Sequence, residues 1–375
     1  MLNEVPINEV PNNEVPNNEV PINEVPNNEV PNNEVPKNEV PINEVPINEV
    51  SNNEENQYLD LIRDIFERGT LEKSRNGNTM SIFGRSMRFS LEGGRIPILT
   101  TKQVAWKTCA KELFWFLSGS TDNGILQTQG VGIWNGNATR EYLDSRGLTD
   151  YEENELGPIY GFQWRHFGAP YKKVKDRNPT LENTEERLVG DFPTSLPSVA
   201  STANIESTMN GIDQIQQIID TLRDPEQRTS RRIILTAWNP TQLDEMTLPP
   251  CHMFAQFHVR NGTHLSCAMY QRSGDVGLGV PFNIASYSLL THILAKHTGL
   301  VAEEFVYFLG NAHIYEEHID ALKMQIERTP YPFPRISIKP IREDLEKSIE
   351  NYTLENIVFE TPYQFHKTIK MEMKA

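Results

Sequence analysis

Beyond residue 57 the chain spaces its apolar residues in two different periods. Tyr58, Leu61, Ile62, Ile65 and Phe66 recur every three or four residues, which predicts a helix with Gly69 at its end. A second, deeply buried helix is expected over 104–117, dense in aromatics and finishing before Ser118-Gly119. A third covers 212–222, with apolar positions 212, 215, 218, 219 and 222, and a fourth covers 284–297, closed by Gly299. Strands are expected over 233–238, 253–259, 264–271, 304–309 and 336–339. Asn261-Gly262 separates two of them and marks a tight hairpin. In its second arm Leu265, Cys267 and Met269 alternate with Ser266, Ala268, Tyr270 and Arg272, so one face reads as buried and the other as polar. Helices and strands mix without regular βαβ alternation, so the expected fold class is α+β.

Two stretches lack either period. Residues 3–51 are ten copies of Asn-Glu-Val-Pro, the last ending in Ser51, separated by Ile, Asn or Lys. Proline at every fifth position removes backbone donors and breaks helices, and no apolar face builds up. Residues 1–52 are therefore expected to be a disordered, acidic NEVPx tail. Residues 176–210 carry three prolines and nine Ser or Thr and read as a surface insertion, a tolerated loop more than a partner-binding one. Residues 53–375 remain for the folded part, enough for one large domain or two small ones.

Charge narrows the function classes. The tail holds ten glutamates and one lysine, so it carries −9 of the formal net charge of −16 and leaves −7 for the rest. That balance argues against a protein devoted to gripping nucleic acid, whose affinity comes mainly from Lys and Arg on phosphates, though a local basic cluster can hold a single phosphate. No apolar run reaches the roughly 18 residues that span a bilayer, and the N-terminus has no signal-peptide pattern. A soluble, intracellular protein is expected. Cys109, Cys251 and Cys267 have no paired spacing, which suits neither a disulfide framework nor a zinc site.

Three segments offer chemistry. In Leu248-Pro249-Pro250-Cys251-His252 two prolines fix the backbone before a cysteine at the start of a strand. A thiol so held serves as a nucleophile if cations lie near it, and Arg231, Arg232 and Arg272 are at hand; otherwise it is a small buried side chain. Gln271-Arg272-Ser273-Gly274-Asp275, followed by Gly277, Gly279 and Phe282-Asn283, could hold a phosphate or be an ordinary turn. Lys111-Glu112-Leu113-Phe114-Trp115-Phe116-Leu117 places a carboxylate on an apolar helix, as a tuned acid or base or as a structural partner of Lys111. His313-Ile314-Tyr315 follows an apolar strand that would aim both polar rings to one side, without metal-ligand spacing to other residues.

Taken together, these segments resemble the thymidylate synthase family from about Tyr58 to the C-terminus, apart from the insertion. The resemblance also rests on Ser81-Ile82-Phe83-Gly84, Thr100-Thr101-Lys102, Gly157-Pro158-Ile159-Tyr160-Gly161-Phe162-Gln163-Trp164-Arg165, Ser230-Arg231-Arg232 and Gly279-Val280-Pro281-Phe282-Asn283. It implies a large mixed β-sheet packed with helices, two such sheets pairing back to back in a homodimer. The implied reaction is reductive methylation of dUMP to dTMP, with 5,10-methylenetetrahydrofolate as one-carbon and hydride donor, leaving dihydrofolate, and with no metal.

The resemblance makes Cys251 the nucleophile towards carbon 6 of uracil and Glu112 the proton relay. It puts Tyr160 near the departing carbon 5 proton and His252 in the water network beside the base. Asn283 reads uracil, where an aspartate would suit the cytosine of the related hydroxymethylases; hydroxymethyl transfer without reduction is the runner-up. Arg75, Gln271, Arg272, Ser273, Gly274 and Asp275 fall on the nucleotide, with His313 and Tyr315 at the ribose hydroxyl. Arg231 and Arg232 would reach the phosphate in the neighbouring subunit's site. Lys102, Trp134, Asn137, Asp275, Leu278, Gly279, Phe282 and Lys374 fall on the folate. Weak RNA binding, a secondary role in the family, and a scaffold role for the tail are further alternatives, in the cytoplasm with the nucleus open. The terminus departs from the family's alanine followed by a larger apolar residue, because Lys374-Ala375 ends this chain. Ala105 stands where bacterial members sometimes have a histidine.

Overall fold

The computed structural model describes residues 53–74, 77–173 and 211–373. The repeat tail, Arg75, the 176–210 insertion and Lys374 lie outside the described residues. The first helix, α1 (Asn56–Arg68), buries Tyr58, Leu61, Ile62 and Ile65 along the expected stripe. It stops at Gly69, where a Cβ would come within 2.4 Å of the Ile65 carbonyl oxygen.

Strands β1 (Thr70–Ser74), β2 (Gly77–Ser90), β3 (Ile234–Thr236), β4 (His252–Arg260), β5 (His264–Asp275) and β6 (Val301–Tyr315) form one sheet in the order β1-β2-β6-β5-β4-β3. Only β5 and β6 run parallel, joined through helix α7 (Gly279–Thr298). The sheet is therefore mixed, as expected. The β1–β2 pair was not predicted: Thr70 to Ser74 are all exposed, so no apolar alternation announces that edge.

Around the sheet lie α2 (Trp106–Leu117), α3 (Asn123–Thr128), α4 (Arg140–Ser145), α5 (Tyr160–His166), α6 (Gln214–Arg223) and α8 (Ile319–Ile326). A separate ribbon pairs β7 (Ile336–Ile338) with β8 (Ile357–Phe359). Ala255, Phe257, Cys267, Met269, Phe305 and Tyr307 fill the sheet's inner face within the core.

Several boundaries differ from expectation for local reasons. Helix α2 begins at 106, not 104, because the Trp106 N–H closes a turn onto the Val104 carbonyl. Helix α6 begins at 214, because Asp213 caps it through the Gln216 N–H at 2.9 Å while Ile212 pairs with Phe167. Helix α7 starts five residues earlier than the apolar pattern suggests, since Pro281 is tolerated in a first turn. It ends at Gly299 with φ +73°, as expected. Strand β6 extends to Tyr315, so His313 and Tyr315 lie on the strand and not after it.

Candidate active site

The site is set by register. Asn261 and Gly262 take φ values of +52° and +70°, which close β4 onto β5. A bulge between His252 and Phe254 then shifts the pairing by one residue. This brings Cys251 level with Arg272, whose N–H donates to the Cys251 carbonyl at 2.9 Å. On the other side, β5 pairs Ser273 with Asn311 and Asp275 with His313. Thus the thiol, the arginine, the serine and the His313-Tyr315 pair gather at the carboxyl ends of the two parallel strands, where α/β sheets commonly bind ligands.

Cys251 is half-buried, whereas Cys109 and Cys267 are buried. Desolvation pushes the Cys109 thiol above its ordinary range and that of Cys267 up to about 12. The Arg272 guanidinium donates to the carbonyls of Pro250 and Pro249, both at 2.9 Å, and stands 3.8 Å from the Cys251 sulfur. The two prolines thereby orient the arginine as well as the cysteine. The Cys251 N–H donates to the Tyr160 hydroxyl at 2.7 Å.

Tyr160 opens α5 after Gly157, whose φ of +74° and 2.1 Å clearance from the Glu245 carbonyl oxygen admit no side chain. Its ring stacks on His252 with centroids 4.0 Å apart, and His252 Nδ1 is 2.8 Å from the Tyr287 hydroxyl. Burial lowers the His252 imidazole to about 3, so it is neutral at physiological pH. Glu112 does not pair with Lys111, which donates instead to the Gln129 carbonyl. It accepts from Trp134 Nε1 at 2.8 Å, and desolvation raises its carboxyl to about 7, partly offset by that bond. Trp134 in turn meets Tyr160 edge to face at 6.0 Å.

A cavity of about 430 Å³ opens beside Arg272 and Pro249, the neighbours of Cys251, and is lined also by Ser273, His313 and Tyr315 together with Lys73, Arg146 and the carboxylate of Glu72. His313 Nδ1 lies 2.9 Å from Asn311 Oδ1. Gln271 is only 2% exposed and engaged at both ends, accepting from Tyr307 and donating to the Ser273 carbonyl. Gly274 is also closed in, so both support the turn from within. Asn283 sits partly buried in the first turns of α7, with Gly279 and Phe282 beside it and Leu278 just before.

A second polar group adjoins this site. Asp275 accepts from the Gly277 N–H at 2.8 Å and faces His318 Nδ1 at 3.6 Å. Lys102 donates to the Gly277 carbonyl, and burial lowers its ammonium to about 8 against the pull of Asp275 and Glu55. Asn137 Nδ2 is buried with no hydrogen-bond partner. Arg231 and Arg232 are exposed ahead of β3, and neither lines the cavity of its own chain. Among the described residues there is no cluster of His, Cys, Asp and Glu suited to a metal ion. Sequence reasoning missed Tyr287, Asn311, Arg146 and His318. Tyr287 lies within a helix buried on nearly every side, and Arg146 follows a short helix with no legible period.

Fold and site define a class: an α+β protein with a cysteine held against an arginine beside a polar cavity lined by Lys73, Arg146, Arg272 and Glu72. A family model described as thymidylate synthase matches residues 56–375, and the chain belongs to that family. It is 47% identical over 321 residues to a bifunctional dihydrofolate reductase-thymidylate synthase of Paramecium tetraurelia, covering 85% of this chain and 61% of that protein. The corresponding Leishmania major protein is also 47% identical, over 85% of this chain and 55% of its own length. The chain thus spans little more than half of these bifunctional relatives. A thymidylate synthase 1/2 of Encephalitozoon cuniculi (strain GB-M1) is 46% identical over 86% of this chain and 97% of its own length.

Proposed function

We propose that residues 53–375 are the catalytic domain of a thymidylate synthase, which methylates dUMP reductively to dTMP and releases dihydrofolate. The observation that carries this reading is the Cys251 sulfur 3.8 Å from Arg272, beside a cavity that also holds Ser273, His313 and Tyr315. The thiolate adds to carbon 6 of uracil, and electron density passes to carbon 5. When the product forms, the carbon–sulfur bond breaks and the thiolate returns. Arg272 and Ser273 hold the phosphate, with Arg75 as a further ligand, and His313 and Tyr315 hold the ribose. Asn283 reads the uracil amide edge.

Glu112, poised near neutrality, holds and releases the proton at the pyrimidine carbonyl. Tyr160 stands where the carbon 5 proton departs, and neutral His252 orders solvent beside the base. Methylenetetrahydrofolate supplies the one-carbon unit and the hydride. The unpaired Asn137 amide and the Asp275 carboxylate fit a polar heterocycle, with Lys102, Trp134, Leu278, Gly279 and Phe282 around it and Lys374 at the terminus.

The protein acts as a homodimer in the cytoplasm, with Arg231 and Arg232 reaching the partner's phosphate site. Supporting this, Ile234, Phe254 and Phe308 lie on the outer face of the sheet at 40–45% exposure. No helix of the described residues is long and apolar enough to cross a membrane. The test is incubation with dUMP and methylenetetrahydrofolate while dihydrofolate is followed by absorbance. Wild-type protein turns over, and Cys251→Ser loses at least about a thousandfold while still binding dUMP. Substantial methylation by Cys251→Ser removes the sulfur from its role.

A further inference from the structure

The nucleotide cavity contains a cation that none of these roles uses. Arg146 caps the C-terminal end of α4 and lines the cavity together with Pro249, Arg272, Ser273 and His313. Its Nε is buried without a hydrogen-bond partner, and no ion pair engages its guanidinium among the described residues. Arg272, by contrast, already spends Nε and Nη2 on the carbonyls of Pro250 and Pro249. A guanidinium offers five donors, and leaving a buried one unmade is costly. An anion entering the cavity would relieve that cost at Arg146 more fully than at Arg272.

We propose that Arg146 is a nucleotide-binding residue, supplied from α4 of the same chain, whose guanidinium takes the phosphate of the bound nucleoside monophosphate opposite Arg272 and Ser273. The assignment rests on the nucleotide reading of this cavity for the identity of the anion, but not for the presence of an anion site. Planar, forked donors suit a phosphate better than a point charge does, so lysine should restore charge but only part of the geometry. The simple alternative is that Arg146 merely complements the end of α4, in which case its removal alters stability and not affinity.

The experiment is calorimetry on the full chain with three probes: dUMP, inorganic phosphate and deoxyuridine. Arg146→Ala is expected to weaken dUMP and inorganic phosphate about tenfold each, with deoxyuridine bound alike by both proteins. Arg146→Lys should recover part of the loss, and KM for dUMP should rise with KM for the folate held. Thermal unfolding of each variant separates a folding defect from a binding one. Equal affinity of wild type and Arg146→Ala for both anions overturns the assignment. Wild-type protein that binds inorganic phosphate through Arg146 but not dUMP keeps the anion site and overturns the nucleotide reading instead. Protein that binds neither anion overturns both.

Discussion

Glu112 shows at the scale of one residue how the site opposes the fold. Its carboxyl rises from 4.5 to about 7 because burial penalises the charged form. A group whose pKa is raised on folding contributes fully below its unfolded value and loses that contribution as pH climbs through the folded one. Above pH 7 the native state therefore holds a carboxylate it would prefer protonated. Glu112→Gln should be more stable than wild type at pH 8 by on the order of 2 kcal/mol, and indistinguishable near pH 4. Urea denaturation at the two pH values checks this, and an equal difference at both contradicts it. Turnover should fall at least about a hundredfold in the same variant, since the proposed proton transfer would lose its carrier. The gain in stability and the loss of activity share one origin.

At the scale of elements, the sheet has one face committed and one available. Ala255, Phe257, Met269 and Tyr307 are buried inward, while the pairing register places Phe254, Tyr270 and Phe308 in line across three strands on the outer face. Phe254 and Tyr270 stack with centroids 6.0 Å apart, and the proposed dimer would cover this patch with a second copy. Phe254→Asp should therefore yield monomers by sedimentation and lose turnover, because Arg231 and Arg232 no longer reach a partner site. A fully active monomer contradicts the proposed dimer. Elements with a buried stripe were legible in the sequence: α1, α7 past residue 284, and the β4–β5 hairpin. The exposed β1 edge and the short helices α3 and α4 were not, because they bury too little on one side to impose a period, and α5 was not, because burial of Tyr160 to Trp164 leaves it no polar face to set one. The site followed the same division. Glu112 could be picked out because it breaks an apolar run, and Cys251 and Arg272 because each sits in a distinctive short segment at a strand end, whereas Arg146, Asn311 and His318 gain meaning only from what folding places beside them.

For the whole molecule, the proposed function joins a thiol on a constrained backbone to a neighbouring cavity that would fix the far end of the substrate. Prolines before Cys251, the bond from the Arg272 N–H to its carbonyl and the bond from its own N–H to Tyr160 hold the backbone that carries the sulfur. The central claim is that this sulfur, and no other, bonds to the pyrimidine during turnover. The direct measurement uses 5-fluoro-dUMP, whose carbon 5 substituent cannot leave as a proton, with methylenetetrahydrofolate, followed by intact-mass and peptide analysis of the denatured protein. The account predicts about one nucleotide bound covalently per site on the peptide containing Cys251, and none on the peptides containing Cys109 or Cys267. Full turnover of dUMP without any adduct at Cys251, or an adduct at another residue, would contradict it.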